Sequence, residues 1–337
     1  MFENNNEAAE ILRRRTSKIL GGGVSEKIFL DSFVRPNNIP FSKGWWLSMT
    51  DDRLFFFAVK NEFSELDNTI RQILSDHNYN VYQIIFREND CVIADSEGNN
   101  KTIEEFLGDL GIQTLPDRDS PRQEGELLDR CIDFYQREGL LTEEARSIYI
   151  EDKLLNRYFY STNIDLFIEN PDTHAVVSVE IKFKNEFLND NKLVFGEDRL
   201  QYETLFPTLR NCGIEVYNCV MYNYLKDDRN IDTTEVFNFL DNCGGNICWK
   251  KKLIAGGENH PTYSFNARNT AFFHNEGRTV YCIPLTEYTS IGDSFFEDAR
   301  DNHWGPCPRA GCTGYRVICK QRATGKEFMG CTEFRNH

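Results

Sequence analysis

The stretch NIDLFIENPDTHAVVSVEIKFKN, residues 163–185, carries the clearest structural signal in this chain. It holds two apolar runs separated by a turn, and charged residues lie inside both runs. Asp165 interrupts the first run, and Ser178, Glu180 and Lys182 alternate with apolar residues in the second. Because successive side chains of a strand point to opposite faces, each run has the pattern of a strand with one apolar face. The stretch therefore predicts a β-hairpin.

The apolar faces of these two strands coincide in a register that also pairs two carboxylates. This register forms three apolar pairs, Ile168 with Val177, Leu166 with Val179 and Ile164 with Ile181. It places Asp165 directly opposite Glu180. Cross-strand neighbours have Cβ atoms about 5 Å apart, and like charges at that distance are destabilising. The sequence thus predicts a carboxylate pair that needs a compensating charge.

A divalent cation would supply that charge. Carboxylate oxygens are ligands that Mg²⁺ prefers, so Asp165 and Glu180 are candidate metal ligands. Lys182 projects from the same face, where an ammonium group can orient an attacking water or stabilise charge on a phosphate. The alternative is an ordinary two-faced hairpin whose charged residues are solvated.

The spacing D-(x)14-E-x-K, with both parts in apolar strands after a helix, resembles the PD-(D/E)xK nuclease superfamily. The core of that superfamily is a helix, three strands, a helix and a strand. Residues 127–225 show this order, with a helix predicted from about Asp198 and an apolar strand after it. The resemblance implies an α/β (α+β) fold with a restriction-endonuclease-like mixed sheet flanked by helices. It also implies metal-dependent hydrolysis of phosphodiester bonds.

The resemblance implies a role for five residues, Asp165, Glu180, Lys182, Gln201 and Glu144. Asp165 and Glu180 would bind Mg²⁺ or Mn²⁺, and Lys182 would be the catalytic lysine. Gln201 lies in the following helix, and it shares an inner stripe with Leu205 and Leu209 if that side of the helix packs on the sheet. A glutamate of the first helix would complete the site, and we choose Glu144 over Glu143 and Glu151. Two positions depart from the motif, since Ile164 replaces the proline and Leu205 stands where some members carry a tyrosine.

The end of the chain, residues 307–337, has the spacing of a zinc site. The candidate ligands are Cys307, Cys312, Cys331 and His337. Two short ligand pairs joined by a hairpin turning near Gly325 predict a zinc ribbon. Metal binding supplies the folding free energy that the small core of such a ribbon cannot. Cys319 is an alternative fourth ligand, but it falls in the middle of a predicted strand.

The ribbon sequence resembles the topoisomerase-type DNA-binding zinc finger in its CP start and its GKEFMGCTEF ending. The resemblance implies that the ribbon binds DNA. Arg316, Arg322 and Lys326 would contact phosphates, and Phe328 or Tyr315 would stack on bases. Residues 307–337 hold six basic and two acidic residues, whereas the whole chain has a formal net charge of −15. This asymmetry is typical of a protein that delegates polyanion binding to one module.

The chain of 337 residues is long enough for two domains and a small module. We predict an N-terminal α+β domain at 1–111, a linker at 112–126, the nuclease domain at 127–303 and the zinc ribbon at 304–337. The first domain has no chemical motif and is a candidate surface for a partner protein or a second copy of the chain. We interpret Gly21–Gly23 as a hinge. We interpret Lys250, Lys251 and Lys252 as a solvated charge run, with the lining of a DNA channel as the alternative.

No apolar run approaches the length of a membrane span, and the first 20 residues lack the apolar core of a signal peptide. Eleven cysteines spread over a long chain favour reduced thiols and a cytoplasmic setting. The sequence predicts a nuclease with DNA as its partner, no membrane partner, and a role in restriction of foreign DNA (antiviral defence) or DNA repair. The alternatives are a non-catalytic nucleic-acid-binding protein on a nuclease scaffold and an RNA nuclease.

Overall fold

The computed structural model describes residues 5–50, 53–87, 91–95, 97–112, 122–225, 235–264 and 279–334. Most of the predicted linker at 112–126 lies outside these residues. The described chain is a mixed α+β protein with several sheets. It divides into two compact units, residues 1–28 with 38–179 and residues 29–37 with 180–337. The boundary falls inside one strand, Val176–Lys184, so each unit holds part of that strand.

The first unit is built from helices and two sets of paired strands. Its helices are α1 (Asn5–Leu12), α2 (Ser17–Phe29), α3 (Glu65–Asp76), α4 (Ile103–Leu110), α5 (Glu126–Arg137), α6 (Leu141–Ile150), a π-helical turn (Glu151–Leu155) and α7 (Asn156–Tyr158). Its strands are β1 (Phe41–Ser42), β2 (Trp45–Met49), β3 (Leu54–Val59), β4 (Asn80–Phe86), β5 (Cys91–Ala94), β6 (Asn100–Lys101), β7 (Tyr160–Ile164), β8 (Leu166–Glu169) and the start of β9 (Val176–Lys184).

Six of these strands form one sheet in the order β6-β5-β4-β3-β2-β7. Strands β3 and β4 run parallel, and the other neighbours are antiparallel. The apolar face of the sheet packs on α4 and on the segment that leads into β7, through Phe57, Phe106 and Phe159 among others. Outside this sheet, β1 pairs with β8, and β8 pairs with the start of β9.

The three consecutive glycines do not form a hinge, because α2 runs through them. A Cβ atom on Gly23 would lie 2.0 Å from the hydroxyl of Tyr135, so this close approach requires glycine. The Tyr135 hydroxyl donates to the carbonyl of Leu20 at 2.9 Å. The prediction of a hinge was wrong because the glycines lie within a helix and Gly23 packs against Tyr135, a long-range contact that composition does not reveal.

The second unit contains the remaining elements. These are a π-helical turn (Leu30–Val34), the end of β9, β10 (Phe187–Asn189), β11 (Lys192–Asp198), a second π-helical turn (Gln201–Leu205), α8 (Phe206–Asn211), β12 (Glu215–Tyr222), α9 (Val236–Asn242), β13 (Cys248–Leu253), β14 (Thr262–Ser264), β15 (Thr279–Pro284), a 3-10 turn (Leu285–Glu287), β16 (Thr289–Ser290), β17 (Arg316–Lys320) and β18 (Glu327–Cys331). Within this unit, β9, β12, β13 and β16 are neighbours in that order. The others form a sheet β10-β11-β15-β14 and a hairpin β17-β18.

Two elements differ from the predicted order of helix, three strands, helix and strand. The first predicted strand, β7, pairs with β2 in the six-stranded sheet of the first unit, and it does not pair alongside β8 and β9. A β10–β11 hairpin follows β9, and β11 extends to Asp198, where we expected a helix to begin. The strand carries the consecutive buried apolar residues Leu193, Val194 and Phe195, and it pairs with β15, a partner far away in the sequence.

Candidate functional site

The register predicted for β8 and β9 is confirmed for the residues that pair. Leu166 lies opposite Val179, and Ile168 lies opposite Val177. The ladder ends at the Leu166–Val179 pair, and along their strands Asp165 precedes that pair and Glu180 follows it. The predicted pairing of Ile164 with Ile181 is replaced, because Ile164 belongs to β7 and lies opposite Trp45.

Asp165 is the single residue between β7 and β8, where the chain passes from one sheet to another. Its side chain is buried, with 4% exposure, although an ionised carboxylate is costly to remove from water. The Nδ2 atom of Asn163 donates to its Oδ1 at 2.6 Å.

Glu180, Lys182 and Gln201 come together in the second unit. Glu180 and Lys182 lie on the same face of β9, and the Lys182 ammonium contacts Glu180 Oε1. The Nε2 atom of Gln201 donates to the same carboxylate oxygen. Glu180 is 2% exposed and Gln201 is 3% exposed, whereas Lys182 keeps about a quarter of its side chain accessible. Three of the five predicted catalytic residues therefore form one contacting cluster.

The backbone around Gln201 has an unusual geometry. Gln201 begins the π-helical turn, and the N–H of Phe206, five residues on, donates to its carbonyl. Single π-helical turns within helices occur frequently at functional sites. Both Gln201 and Leu205 are buried, as the predicted inner stripe of this helix requires.

The amide of Gln201 is only half satisfied. Because Glu180 is a carboxylate and accepts hydrogen bonds, the Gln201 amide must present its N–H group to it. Its Oε1 atom is then buried with no hydrogen-bond partner among the described residues. Buried polar atoms in native proteins are normally paired, so this oxygen is available to a donor such as water.

A second polar cluster lies next to Gln201, and no sequence motif pointed to it. The Tyr202 hydroxyl is 2.6 Å from His260 Nδ1, and His260 Nε2 is 3.0 Å from Glu287 Oε2. Lys252 Nζ lies 2.7 Å from both Glu287 and Glu258. Burial raises the pKa of Tyr202 to about 12, so its phenol stays protonated at neutral pH. These residues are far apart in the sequence, and local spacing could not have found them.

Glu144 lies in the first unit, on α6. Two charged residues act on its carboxyl, Lys43 and Glu26. They form an ion pair in which Lys43 Nζ lies 2.6 Å from Glu26 Oε2. Burial raises the pKa of the Glu144 carboxyl to about 7, the Lys43 ammonium opposes that shift, and the Glu26 carboxylate adds to it. A carboxyl with such a pKa is suited to proton transfer near neutral pH.

The pKa of Glu144 predicts a pH dependence of stability. Its pKa is raised on folding, so its contribution is fully present below the unfolded value of 4.5 and is lost as the pH rises to about 7. Glu144→Gln should therefore be more stable than the parent by on the order of 1–2 kcal/mol at pH 8 and by much less at pH 4.5. Urea unfolding at both pH values measures this, with Glu143→Gln as the control. Equal differences at the two pH values would contradict the assignment.

The three cysteines of the ribbon converge. The sulfur atoms of Cys307, Cys312 and Cys331 all lie within 4.8 Å of one another. Backbone N–H groups two residues further on donate to two of them, Gly314 to Cys312 Sγ and Glu333 to Cys331 Sγ, each at 3.3 Å. Such N–H groups stabilise thiolates, the form that binds metal. The cluster could hold a metal ion such as zinc.

The predicted hairpin between the ligand pairs is confirmed. Strands β17 and β18 are antiparallel, and Gly325 turns with a φ of 70°. Cys319 lies within β17 opposite Phe328, and it is not part of the three-cysteine group. His337 lies outside the described residues, and its role as the fourth ligand stays a prediction.

Zinc content tests the cysteine cluster. We expect about one zinc per chain, and Cys312→Ser and Cys331→Ser should each lose it because three soft ligands converge on one point. Cys319→Ser is the control and should keep its zinc. Elemental analysis of the purified variants measures the difference. Loss of zinc from Cys319→Ser alone would make Cys319 a ligand in place of the present cluster.

The predicted DNA-binding residues differ in accessibility. Arg322, Lys326 and Phe328 are exposed, and Tyr315 is exposed and stacks on His303 with ring centroids 4.2 Å apart. Arg316 departs from the expectation, because it is 7% exposed and its guanidinium donates to the carbonyl of Tyr224. A buried, hydrogen-bonded arginine is not available to a phosphate, so Arg316 has a structural role.

Comparison of the chain with protein-family models, with curated proteins and with solved structures gives no match. Among the residues that the structure describes, none of the helices combines the length and the apolar character that crossing a membrane requires.

Proposed function

We propose that the chain is a metal-dependent nuclease that hydrolyses phosphodiester bonds in DNA, with a restriction-endonuclease-like PD-(D/E)xK core. The Gln201 amide is the observation that supports this function most strongly. It binds the buried Glu180 carboxylate through its N–H group, and its buried oxygen has no hydrogen-bond partner among the residues that the structure describes. A water at that oxygen would be held beside the Glu180 carboxylate and the Lys182 ammonium.

The donor set suits a hard divalent cation. Glu180 offers a carboxylate oxygen, and Asp165 is the second ligand that we propose, because the D-(x)14-E-x-K spacing resembles that of the metal-binding nuclease motif. Mg²⁺ and Mn²⁺ favour such oxygen ligands, whereas the ribbon cysteines favour zinc. When bound, the ion supplies Lewis-acid activation of the scissile phosphate.

The remaining side chains supply position and charge. Lys182 keeps its ammonium accessible next to Glu180, where it would stabilise negative charge on the phosphate in the transition state. The free oxygen of Gln201 would accept a hydrogen bond from the attacking water and orient it for in-line displacement. The proposed role of Glu144, in the first unit, is proton transfer.

The ribbon supplies exposed basic and aromatic groups for nucleic acid. Arg322 and Lys326 would contact phosphates, and Phe328 would stack on an exposed base. The rest of the chain is acidic and would repel a phosphate backbone. A role in restriction of foreign DNA or in DNA repair follows only by analogy with proteins of similar build.

Cleavage of matched substrates tests this function. Single-stranded and double-stranded DNA and RNA of one sequence are incubated with the full chain and Mg²⁺, Mn²⁺ or a chelator. We expect DNA cleavage that requires the divalent ion. Cleavage of RNA alone would make the protein an RNA nuclease. Folded protein that binds DNA but cleaves no substrate with either ion would make it a non-catalytic binding protein.

Replacement of Gln201 by leucine should lower the maximal cleavage rate by roughly 10–100-fold, because the water loses its acceptor and Glu180 loses a donor. The KM for DNA should change little, since the amide lies at the reacting centre and makes no contact with distant parts of the substrate. Steady-state kinetics measure the split. Gln72→Leu, at an exposed position of α3, is the control. An unchanged rate in Gln201→Leu would remove Gln201 from the mechanism.

A further inference from the structure

The cysteine ribbon, Trp304 to Phe334, is joined to the rest of the second unit through buried charges. The Arg316 guanidinium donates to the carbonyl of Tyr224, and its Nη2 lies 3.9 Å from Glu186 Oε1. The Glu186 side chain is fully buried, and the Tyr222 hydroxyl donates to its other oxygen at 2.8 Å. A buried carboxylate needs such partners, so Arg316 compensates a charge that lies outside the ribbon.

These contacts lie at the ends of two neighbouring strands. Glu186 follows the end of β9 at Lys184, and Tyr222 is the last residue of β12. The N–H of Asn223 donates to the carbonyl of Lys184 at 2.9 Å and joins the two ends directly. Arg316 therefore contacts the point where β9 and β12 end together. The same strand β9 carries Glu180 and Lys182.

A second tie lies on the other strand of the ribbon. Glu327 of β18 is buried, and its Oε2 accepts from the N–H of Leu193 at 3.0 Å. The N–H of Glu327 donates to the carbonyl of Asn191 at 2.8 Å. These bonds hold the turn between β10 and β11. Both strands of the ribbon thus make buried polar contacts with the sheets of the second unit.

The metal ligands lie directly beside these contacts. Arg316 pairs with Cys331 in the β17–β18 ladder. The backbone of Arg316 also exchanges hydrogen bonds with the segment before Cys307, accepting from Trp304 at 2.8 Å and donating to Gly305 at 2.9 Å. A ribbon of this size has too little core to hold its shape without metal. Metal binding at the cysteines would therefore fix the side chain that compensates Glu186.

We propose that the ribbon is a structural clamp on the ends of β9 and β12, with Arg316 as its positioning residue. Metal held by Cys307, Cys312 and Cys331 keeps the ends of β9 and β12 structurally ordered. The clamp does not depend on the proposed nuclease function. Only its consequence for cleavage, a slower reaction when β9 is less ordered, rests on that function. The ribbon is accordingly not a separable module, because its deletion would remove the cation that faces Glu186.

Hydrogen exchange and thermal unfolding of the full chain test the clamp. Zinc-loaded and chelator-treated protein are compared by mass spectrometry of peptides that cover 180–186 and 215–224. Chelation should raise exchange in both peptides and lower Tm by roughly 5–10 °C, the size expected when a buried ion pair is broken. Arg316→Met should show the same exchange pattern while it keeps its zinc. Chelation of this variant should then cause little further increase in hydrogen exchange in residues 180–186.

Arg309→Met is the matched control, since Arg309 is exposed on the same ribbon. It should behave like the parent. If Arg316→Met does not yield folded protein, chelation of the parent still decides the question without any substitution. Exchange that rises only within residues 304–334 on chelation would overturn the clamp. Failure of zinc-loaded parent protein to cleave any nucleic acid in the presence of Mg²⁺ or Mn²⁺ would refute the proposed function and leave the exchange result unaffected.

Discussion

Lys182→Ala should reduce DNA cleavage by roughly 10²–10⁴-fold at saturating metal and substrate. The ammonium contacts the Glu180 carboxylate and remains partly accessible. It could therefore stabilise the negative charge that develops on the phosphate. A group that acts on the transition state changes the rate and leaves ground-state binding largely unchanged. Metal and DNA affinity should therefore stay close to those of the parent protein.

Single-turnover cleavage and DNA binding measure the two effects separately. Lys192→Ala is the matched control, because Lys192 is an exposed lysine on β11 of the same unit. It should cleave at the parental rate. A parental rate in Lys182→Ala itself would remove this lysine from catalysis and with it the strongest part of the D…ExK assignment.

Glu180→Gln should abolish both metal binding and cleavage. The substitution keeps the size of the side chain and an oxygen that can accept from Gln201, but it removes the charge that attracts the cation. Affinity for Mn²⁺ at this site should fall by more than the roughly 10–100-fold that loss of an outer-shell partner causes.

Calorimetric titration with Mn²⁺ measures the affinity, after zinc has been loaded into the ribbon to occupy the cysteines. Glu215→Gln is the control, as Glu215 is an exposed glutamate on β12. Equal Mn²⁺ affinity in Glu180→Gln and the parent protein would show that Glu180 is not a ligand of the ion.

The parts of the fold that sequence could predict depend on local patterns. The alternation in β8 and β9 predicted the register that pairs Leu166 with Val179, because a shift by one residue would bury the charged face. The cysteine spacing and Gly325 predicted a hairpin with converging thiols. The inner face of the helix predicted that Gln201 would be buried.

The parts that could not be predicted depend on contacts between distant segments. Lys250, Lys251 and Lys252 were interpreted as a solvated run, yet all three are buried. Lys250 Nζ donates to Ser290 Oγ at 2.7 Å and lies over the Trp304 ring. The residues next to this run in the sequence do not indicate those partners.

The Tyr202–His260–Glu287 cluster escaped prediction for the same reason. Each of its hydrogen bonds joins segments that only the fold brings together. The sequence signal nearest to it was the predicted helix that contains Gln201. That helix located the neighbourhood of the cluster but not its members.

The central claim is that Asp165 and Glu180 bind a divalent cation, and anomalous diffraction from crystals soaked in Mn²⁺ tests it most directly. The result we predict is a manganese peak within coordination distance of carboxylate oxygens of both residues, with Lys182 and Gln201 next to Glu180. Manganese bound only elsewhere, with no peak at Glu180, would contradict the claim and reduce the charged hairpin to a structural feature.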